Sequence, residues 1–240
     1  MENNKEKENG KIKIAGFQRN SFIDFPGKIA AVIFLGGCNF VCYYCHNNNI
    51  LGSESNTIDF TLVLADLKEQ IGFLDGVVIT GGEPTLHPHL TEIITAIKKL
   101  GFLVKLDTNG TNSRILKKLV ESGLVDYVAM DVKAPFGKYK EITEVEANTG
   151  EIEKSIDFLL KQNLAEYMFR TTLSPLLTDD DISTIGKLVQ GAKNFQLQQF
   201  VPNDFSNARK VVRLPYSAAN AARFGDILKK YCKNVILRGF

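Results

Sequence analysis

Short β-rich apolar runs alternating with stretches of helical period constrain this 240-residue chain more than any other feature. The runs at 31–35, 77–80, 103–106, 127–130, 168–172 and 195–201 read as six strands. Between them, Phe60, Val63, Leu64, Leu67 and Ile71 recur at steps of three and four, as do Leu90, Ile93, Ile94, Ile97 and Leu100, then Ile115, Leu116, Leu119 and Val120. Each set is one apolar helix face. Gly101 and Gly123 stand just past the second and third helices, where a left-handed cap is easiest for glycine. Further helices are predicted over 152–162, 181–189 and 218–232, the last with Ser217 as N-cap, and a closing strand over 235–237.

Strand alternating with helix implies a parallel sheet with right-handed crossovers, and nearly continuous apolar strands imply a sheet covered on both faces or curled into a barrel. A full eight-unit barrel takes about 250 residues. The expected fold is therefore α/β, an incomplete (β/α)6 barrel with its chemistry at the C-terminal strand ends. A hydrophobic content of 44% suits a single domain over 13–240, and residues 1–12 read as a tail too polar to order itself.

Lys and Arg total 29 against 27 Asp and Glu, so the net charge of +2 carries no field that would predict a nucleic-acid or anionic-membrane partner. No apolar run reaches the roughly 18 to 20 residues that span a bilayer, and the polar start lacks a secretory signal, so a cytoplasmic location is expected.

Cys38, Cys42 and Cys45 cluster just after the first strand, in the run from Gly36 to Asn47, while Cys232 lies far away. Such clustering in a reducing compartment favours a metal over disulfides. Thiolates are soft ligands for iron–sulfur clusters or zinc, and a ferredoxin or structural zinc site ordinarily uses four. Three thiolates on a four-iron cluster leave one iron open to a small molecule; a zinc loop completed by His46 or Cys232 is the alternative. Thr80, Gly81, Gly82, Glu83 and Pro84 follow the second strand, where two glycines permit close approach to the backbone and a carboxylate can pair with a cation. Asp107-Thr108-Asn109-Gly110 ends the third strand and Asp131-Val132-Lys133 the fourth. His87 and His89 read as loop residues, and Cys232 as a small buried residue of the last helix.

The spacing C-x-x-x-C-x-x-C, with Tyr44 before its last cysteine and His46 after it, resembles the radical S-adenosylmethionine superfamily. The resemblance implies that Cys38, Cys42 and Cys45 hold one 4Fe-4S cluster, with Tyr44 and His46 beside it. It implies too that Gly81, Gly82 and Glu83 hold the methionine ammonium of S-adenosylmethionine. Asp107, Thr108, Asn109, Asp131, Val132 and Lys133 look like the D-T-N-G and D-x-K segments of enzymes that activate glycyl radical proteins. There such segments contact the cofactor's carboxylate and ribose and help bind a monovalent cation. Where the pyruvate formate-lyase activator carries a cofactor-contacting histidine, the rim over 199–203 has none, and Asn203 is the candidate.

The stretch from Ser21 to Gly27, the cysteine run and the closing Leu237-Arg238-Gly239 are similar to activators of anaerobic ribonucleoside-triphosphate reductases, over 13–240. The implied activity is reductive cleavage of S-adenosylmethionine to a 5′-deoxyadenosyl radical that takes hydrogen from a partner's glycine. The implied partners are that glycyl radical enzyme and a one-electron donor such as flavodoxin or ferredoxin. The alternatives are another glycyl radical enzyme of the pyruvate formate-lyase type, or a small-molecule radical enzyme such as 7-carboxy-7-deazaguanine synthase.

Overall fold

The computed structural model describes residues 12–51, 57–202 and 214–240. Its strands are β1 (Lys13–Ile14), β2 (Gly16–Phe25), β3 (Lys28–Leu35), β4 (Ile58–Asp59), β5 (Gly76–Gly81), β6 (Leu103–Thr108), β7 (Tyr127–Asp131), β8 (Glu166–Leu173), β9 (Asn194–Gln199) and β10 (Asn234–Arg238). The helices are α1 (Phe60–Glu69), α2 (Leu90–Lys99), α3 (Ser113–Glu121), α4 (Tyr139–Thr143), α5 (Thr149–Lys161), α6 (Asp179–Leu188) and α7 (Ala218–Leu228). All six predicted strands and the closing one are present, although the sixth ends at Gln199 because Phe200 and Val201 leave the ladder.

The main sheet has eight strands in the order β10-β9-β8-β7-β6-β5-β3-β2, all parallel except the edge pair β2–β3. It curls into an open half-barrel. Strand β2 was not expected from the sequence: its inward positions are mixed, and Phe22 and Ile23 are exposed rather than patterned for a core.

The strands are less continuously apolar than their sequence suggests. Val104, Leu106, Val128, Met130, Phe169, Phe195 and Leu197 face outward into the main core beneath the helices. One residue along, Lys105, Asp107, Asp131, Arg170, Thr172, Gln196 and Gln198 line the hollow inside. This alternation of period two is what a sheet with one dry and one wet face requires. Phe25, Ala30, Val32 and Val78, with Phe34, Leu103 and Tyr127 packed against them, give the inner face an apolar floor.

The helix caps follow their predicted chemistry. Ser217 caps α7 in a reciprocal box with Asn220, and Gly101 and Gly123 take φ of +89° and +68°. Helix α7 ends at Leu228, so Cys232 sits past it in the turn before β10, buried in the outer core. Ile12, expected within the tail, packs on the core and accepts a 2.9 Å hydrogen bond from the Phe60 amide. No helix among the described residues is long and apolar enough to cross a membrane.

Candidate cluster and cofactor site

The chain leaves β3 at Leu35 and turns into the cysteine loop across the C-terminal end of the sheet. Backbone bonds hold that loop: Gly37 N–H donates to Ile50 O (3.0 Å), Val41 N–H to Thr143 O (3.0 Å) and Cys45 N–H to Cys42 O (2.9 Å). Side chains tie it to its neighbours. Asn109 Nδ2 donates to Asn39 Oδ1 (2.9 Å), Asn39 Nδ2 to Thr111 Oγ1 (2.9 Å), and Asn47 Nδ2 to Gly81 O (2.9 Å).

The two glycines after β5 serve this junction. Glu83 N–H donates to Gly37 O and Gly82 N–H to Leu35 O, both at 2.8 Å. A Cβ on Gly82 would collide with the Gly37 carbonyl, and one on Gly81 with the Leu35 backbone. Close approach is thus required, as the sequence implied, but what approaches is the cysteine loop's own backbone. Glu83 is buried, and its Oε1 accepts from Thr85 N–H (3.0 Å), Thr85 Oγ1 (2.5 Å) and Thr108 Oγ1 (2.7 Å). Its Oε2 accepts from Asn109 N–H (2.6 Å). Burial pushes the Glu83 pKa up against the pull of these bonds.

A cavity of about 440 Å³ collects most of the residues singled out in the sequence: Cys38, Cys42, Cys45, Tyr44, His46, Gly81, Gly82, Glu83, Asp107, Thr108, Asn109, Asp131 and Lys133. Val132 is not among them. It is fully buried, its N–H donating to Arg170 O (2.8 Å) and its carbonyl accepting from Thr171 Oγ1 (2.6 Å), so it braces β8 instead. His87 and His89 lie off the cavity, with His89 3.3 Å from Glu92. Asn203 lies outside the described residues.

Burial raises the pKa of all three thiols, that of Cys38 to about 11, while the charge of Lys133 opposes the shift at each. Burial works against the charge of Lys133, but Cys42, Tyr44 and Asp131 outweigh it and hold its pKa well above the ordinary lysine value. Its ammonium lies 6.0 Å from the Tyr44 ring centroid.

Two charged side chains that hold the site's carboxylates escaped the sequence reading, Lys105 and Arg170. Lys105 pairs with Asp107 Oδ1; Arg170 donates from Nη1 to Asp107 Oδ2 (3.0 Å) and from Nε to Asp131 Oδ1 (2.8 Å). Lys133 Nζ stands 3.4 Å from Asp131 Oδ2. The available signal was a charge at an inward position within an otherwise apolar strand.

A curled, mostly parallel half-barrel with three thiols on the loop after its first parallel strand, packed against a Gly-Gly-Glu turn, defines a radical S-adenosylmethionine enzyme. Residues 32–189 match the radical SAM superfamily, and the chain belongs to it. Within it, the chain groups with the glycyl-radical enzyme activating enzymes. It is 39% identical over 235 residues, 95% of this chain and 96% of the other, to a Methanocaldococcus jannaschii protein carrying the provisional description of glycyl-radical enzyme activating enzyme MJ1227. It is 28% identical over 198 residues, 75% of this chain and 73% of the other, to the pyruvate formate-lyase-activating enzyme of Streptococcus mutans. In fold it resembles Streptococcus suis SuiB bound to S-adenosylmethionine, with a TM-score of 0.67 at 13% identity over 85% of this chain and 48% of that one.

Enzymes of this superfamily use a 4Fe-4S cluster and S-adenosylmethionine. The residues present fit such a cluster. Three thiols border one cavity, a buried cation favours their deprotonated form, and Cys232 packs away from them in the outer core. Among the described residues no three His, Cys, Asp or Glu side chains converge as a single metal ion demands.

Proposed function

We propose that this enzyme installs a glycyl radical on an anaerobic ribonucleoside-triphosphate reductase, working in the cytoplasm with an electron from flavodoxin or ferredoxin. The observation that carries the reading is the cavity's reach. Asp24 on β2 and Arg238 on β10, the two free edges of the sheet, line the same cavity as the three cysteines. Their closest charged atoms are 4.0 Å apart, so a single ion pair joins the two edges and is the contact that a protein docked along that side would part. A glycine-bearing loop of a protein substrate enters there and reaches the cofactor.

When bound, the cluster and S-adenosylmethionine supply the chemistry: one-electron cleavage of a carbon–sulfur bond gives methionine and a 5′-deoxyadenosyl radical that abstracts hydrogen from glycine. The chain binds, orients and excludes water. Cys38, Cys42 and Cys45 would hold the cluster, and the Glu83 carboxylate, on the wall of the same cavity, would pair with the ammonium of the cofactor. Asp107, Asp131 and Lys133 line the same cavity and would meet the carboxylate and ribose end. Tyr44, wedged edge-on against Tyr43 at 5.1 Å, closes the wall beside Lys133. The likeness to a pyruvate formate-lyase-activating enzyme makes that lyase type the second candidate partner.

The test is anaerobic electron paramagnetic resonance on the reduced, reconstituted enzyme mixed with S-adenosylmethionine and the reductase. A glycyl radical doublet, with methionine and 5′-deoxyadenosine released, is expected. Cofactor cleavage without a doublet would reject the reductase and turn the same assay to a lyase-type partner.

A further inference from the structure

Resemblance to the glycyl radical activators implies a monovalent cation near Asp107 and Asp131. The donor set does not fit one. Strand register explains why: Asp131 lies directly opposite Arg170 on the neighbouring strand, and Asp107 lies opposite Ala129. Ala129 shares the face of Asp131 on β7, where an alanine side chain reaches only as far as its Cβ. The guanidinium bridges the two carboxylates through different nitrogens, Nε to Asp131 at 2.8 Å and Nη1 to Asp107 at 3.0 Å.

We propose that the Arg170 guanidinium fills the place of the monovalent cation, so that this enzyme binds its sulfonium cofactor without an alkali ion. The inference rests on the radical S-adenosylmethionine reading above. Every carboxylate oxygen already faces a cationic partner: Asp107 Oδ1 Lys105, Asp107 Oδ2 Arg170, Asp131 Oδ1 Arg170, and Asp131 Oδ2 Lys133. Thr80 Oγ1 adds a 3.3 Å bond to Asp107 Oδ2. Within these five side chains two negative charges stand against three positive ones, and the carboxylates are matched before any ion arrives. A hard cation needs several oxygen ligands at short range, and here it would have to displace tethered cations from the carboxylates. Arginine suits the role because its planar fork serves two carboxylates at once and stays charged at any relevant pH.

Desolvation opposes the charge on Asp107 and on Asp131, yet Arg170 with Lys105, and Arg170 with Lys133, hold both carboxyls below the usual range. Both acids are thus ionised where Arg170 bridges them. Arg170 touches the carboxylates rather than the reacting atoms, which makes it a positioning residue.

The experiment compares S-adenosylmethionine affinity of the reconstituted enzyme in sodium, potassium and tetramethylammonium chloride at equal ionic strength. The cofactor-free chain is melted in the same salts. Wild type should show equal affinity and an equal Tm in all three. Arg170→Ala should bind the cofactor about ten- to a hundredfold more weakly in tetramethylammonium, the loss expected for a charge-assisted pair. Sodium, potassium or guanidinium ion should restore much of that affinity and raise the Tm of the cofactor-free variant, which a merely structural arginine would not produce. Arg170→Lys should fall between the two and stay indifferent to the salt, and it carries the test if Arg170→Ala fails to fold. A wild-type enzyme that needs sodium or potassium would overturn the proposal, as would a folded Arg170→Ala that no cation rescues. The melting arm needs no cofactor, so it separates this failure from failure of the cofactor assignment.

Discussion

On the outer face of the sheet, Val104, Leu106, Val128, Met130 and Phe169 bury their side chains under the helices, while one residue along the same strands Lys105, Asp107, Asp131 and Arg170 pair with one another along the inner wall of the hollow. The two faces share a backbone and differ in solvent. Outside, the energy comes from apolar area and tight packing, where any residue of suitable size and greasiness serves. Inside, each charge is held by a named partner, and removing one leaves another exposed to its own burial cost. Stability therefore belongs mainly to one face and function to the other.

The sharpest way to break that division is through the cysteines. Cys38→Ala, Cys42→Ala and Cys45→Ala should each abolish assembly of a four-iron cluster on anaerobic reconstitution, read by iron and sulfide content and by the visible spectrum. Cys232→Ala, on the outer side, should keep the full cluster. A normal cluster in Cys42→Ala would remove the inner rim from the metal site.

Next in size, Phe169→Ala should cost about 3 to 5 kcal/mol in urea unfolding, the usual range for an aromatic side chain lost from a core. A loss below about 1 kcal/mol would mean that the outer face is less tightly packed than its burial indicates.

Glu83 joins the two behaviours. Glu83→Ala should weaken S-adenosylmethionine binding, and it should also destabilise the cofactor-free chain by about 1 to 3 kcal/mol, because Thr85, Thr108 and Asn109 lose their acceptor. Glu83→Gln keeps an acceptor for part of this network and should recover stability before it recovers affinity. Unchanged stability in Glu83→Ala, measured by calorimetry, would make the carboxylate purely a ligand.

The smallest effect concerns acid. Burial opposes the charge on Asp107, and Arg170 and Lys105 overcome it, so its native pKa lies below the ordinary carboxylate value. Such a group stabilises the fold above its unfolded pKa of about 3.9, and that contribution is lost as pH falls through the lower native pKa. Asp107→Asn should flatten the decline of the urea midpoint between about pH 5 and pH 2. An unaltered slope would assign the acid sensitivity to other carboxylates.

The outer face was legible in the sequence because apolar periodicity reports burial under helices, and Leu90, Ile93, Ile94 and Ile97 reappear as the buried stripe of α2. The cysteine loop and the Gly-Gly-Glu turn were legible because their chemistry is local and short. Lys105 and Arg170 were not. Their importance arises only when β6, β7 and β8 are laid side by side, and a single lysine or arginine within an apolar run carries no sign of the carboxylate it will meet 2 or 63 residues away. Glu83 was read as a ligand; in the fold it is a structural knot, since two of its partners, Thr108 and Asn109, lie 25 and 26 residues downstream at the end of β6. Strand β2 was hidden because an antiparallel edge with an exposed middle lacks the pattern of a core strand.

The strand order rises steadily from β3 to β10, and this ties the geometry of the pocket to the timing of synthesis. Each parallel strand pairs with one already made, so the wall can grow in the order in which the ribosome delivers it. The thiols emerge early, by Cys45, whereas the last inward charge, Arg238, belongs to the final five-residue strand. At about 5 to 20 residues per second, the 193 residues from Cys45 to Arg238 (238 − 45) take roughly 10 to 40 s to add. Throughout that interval the three thiols stand beside an unfinished wall, and the pocket comes into being only once β10 has been added.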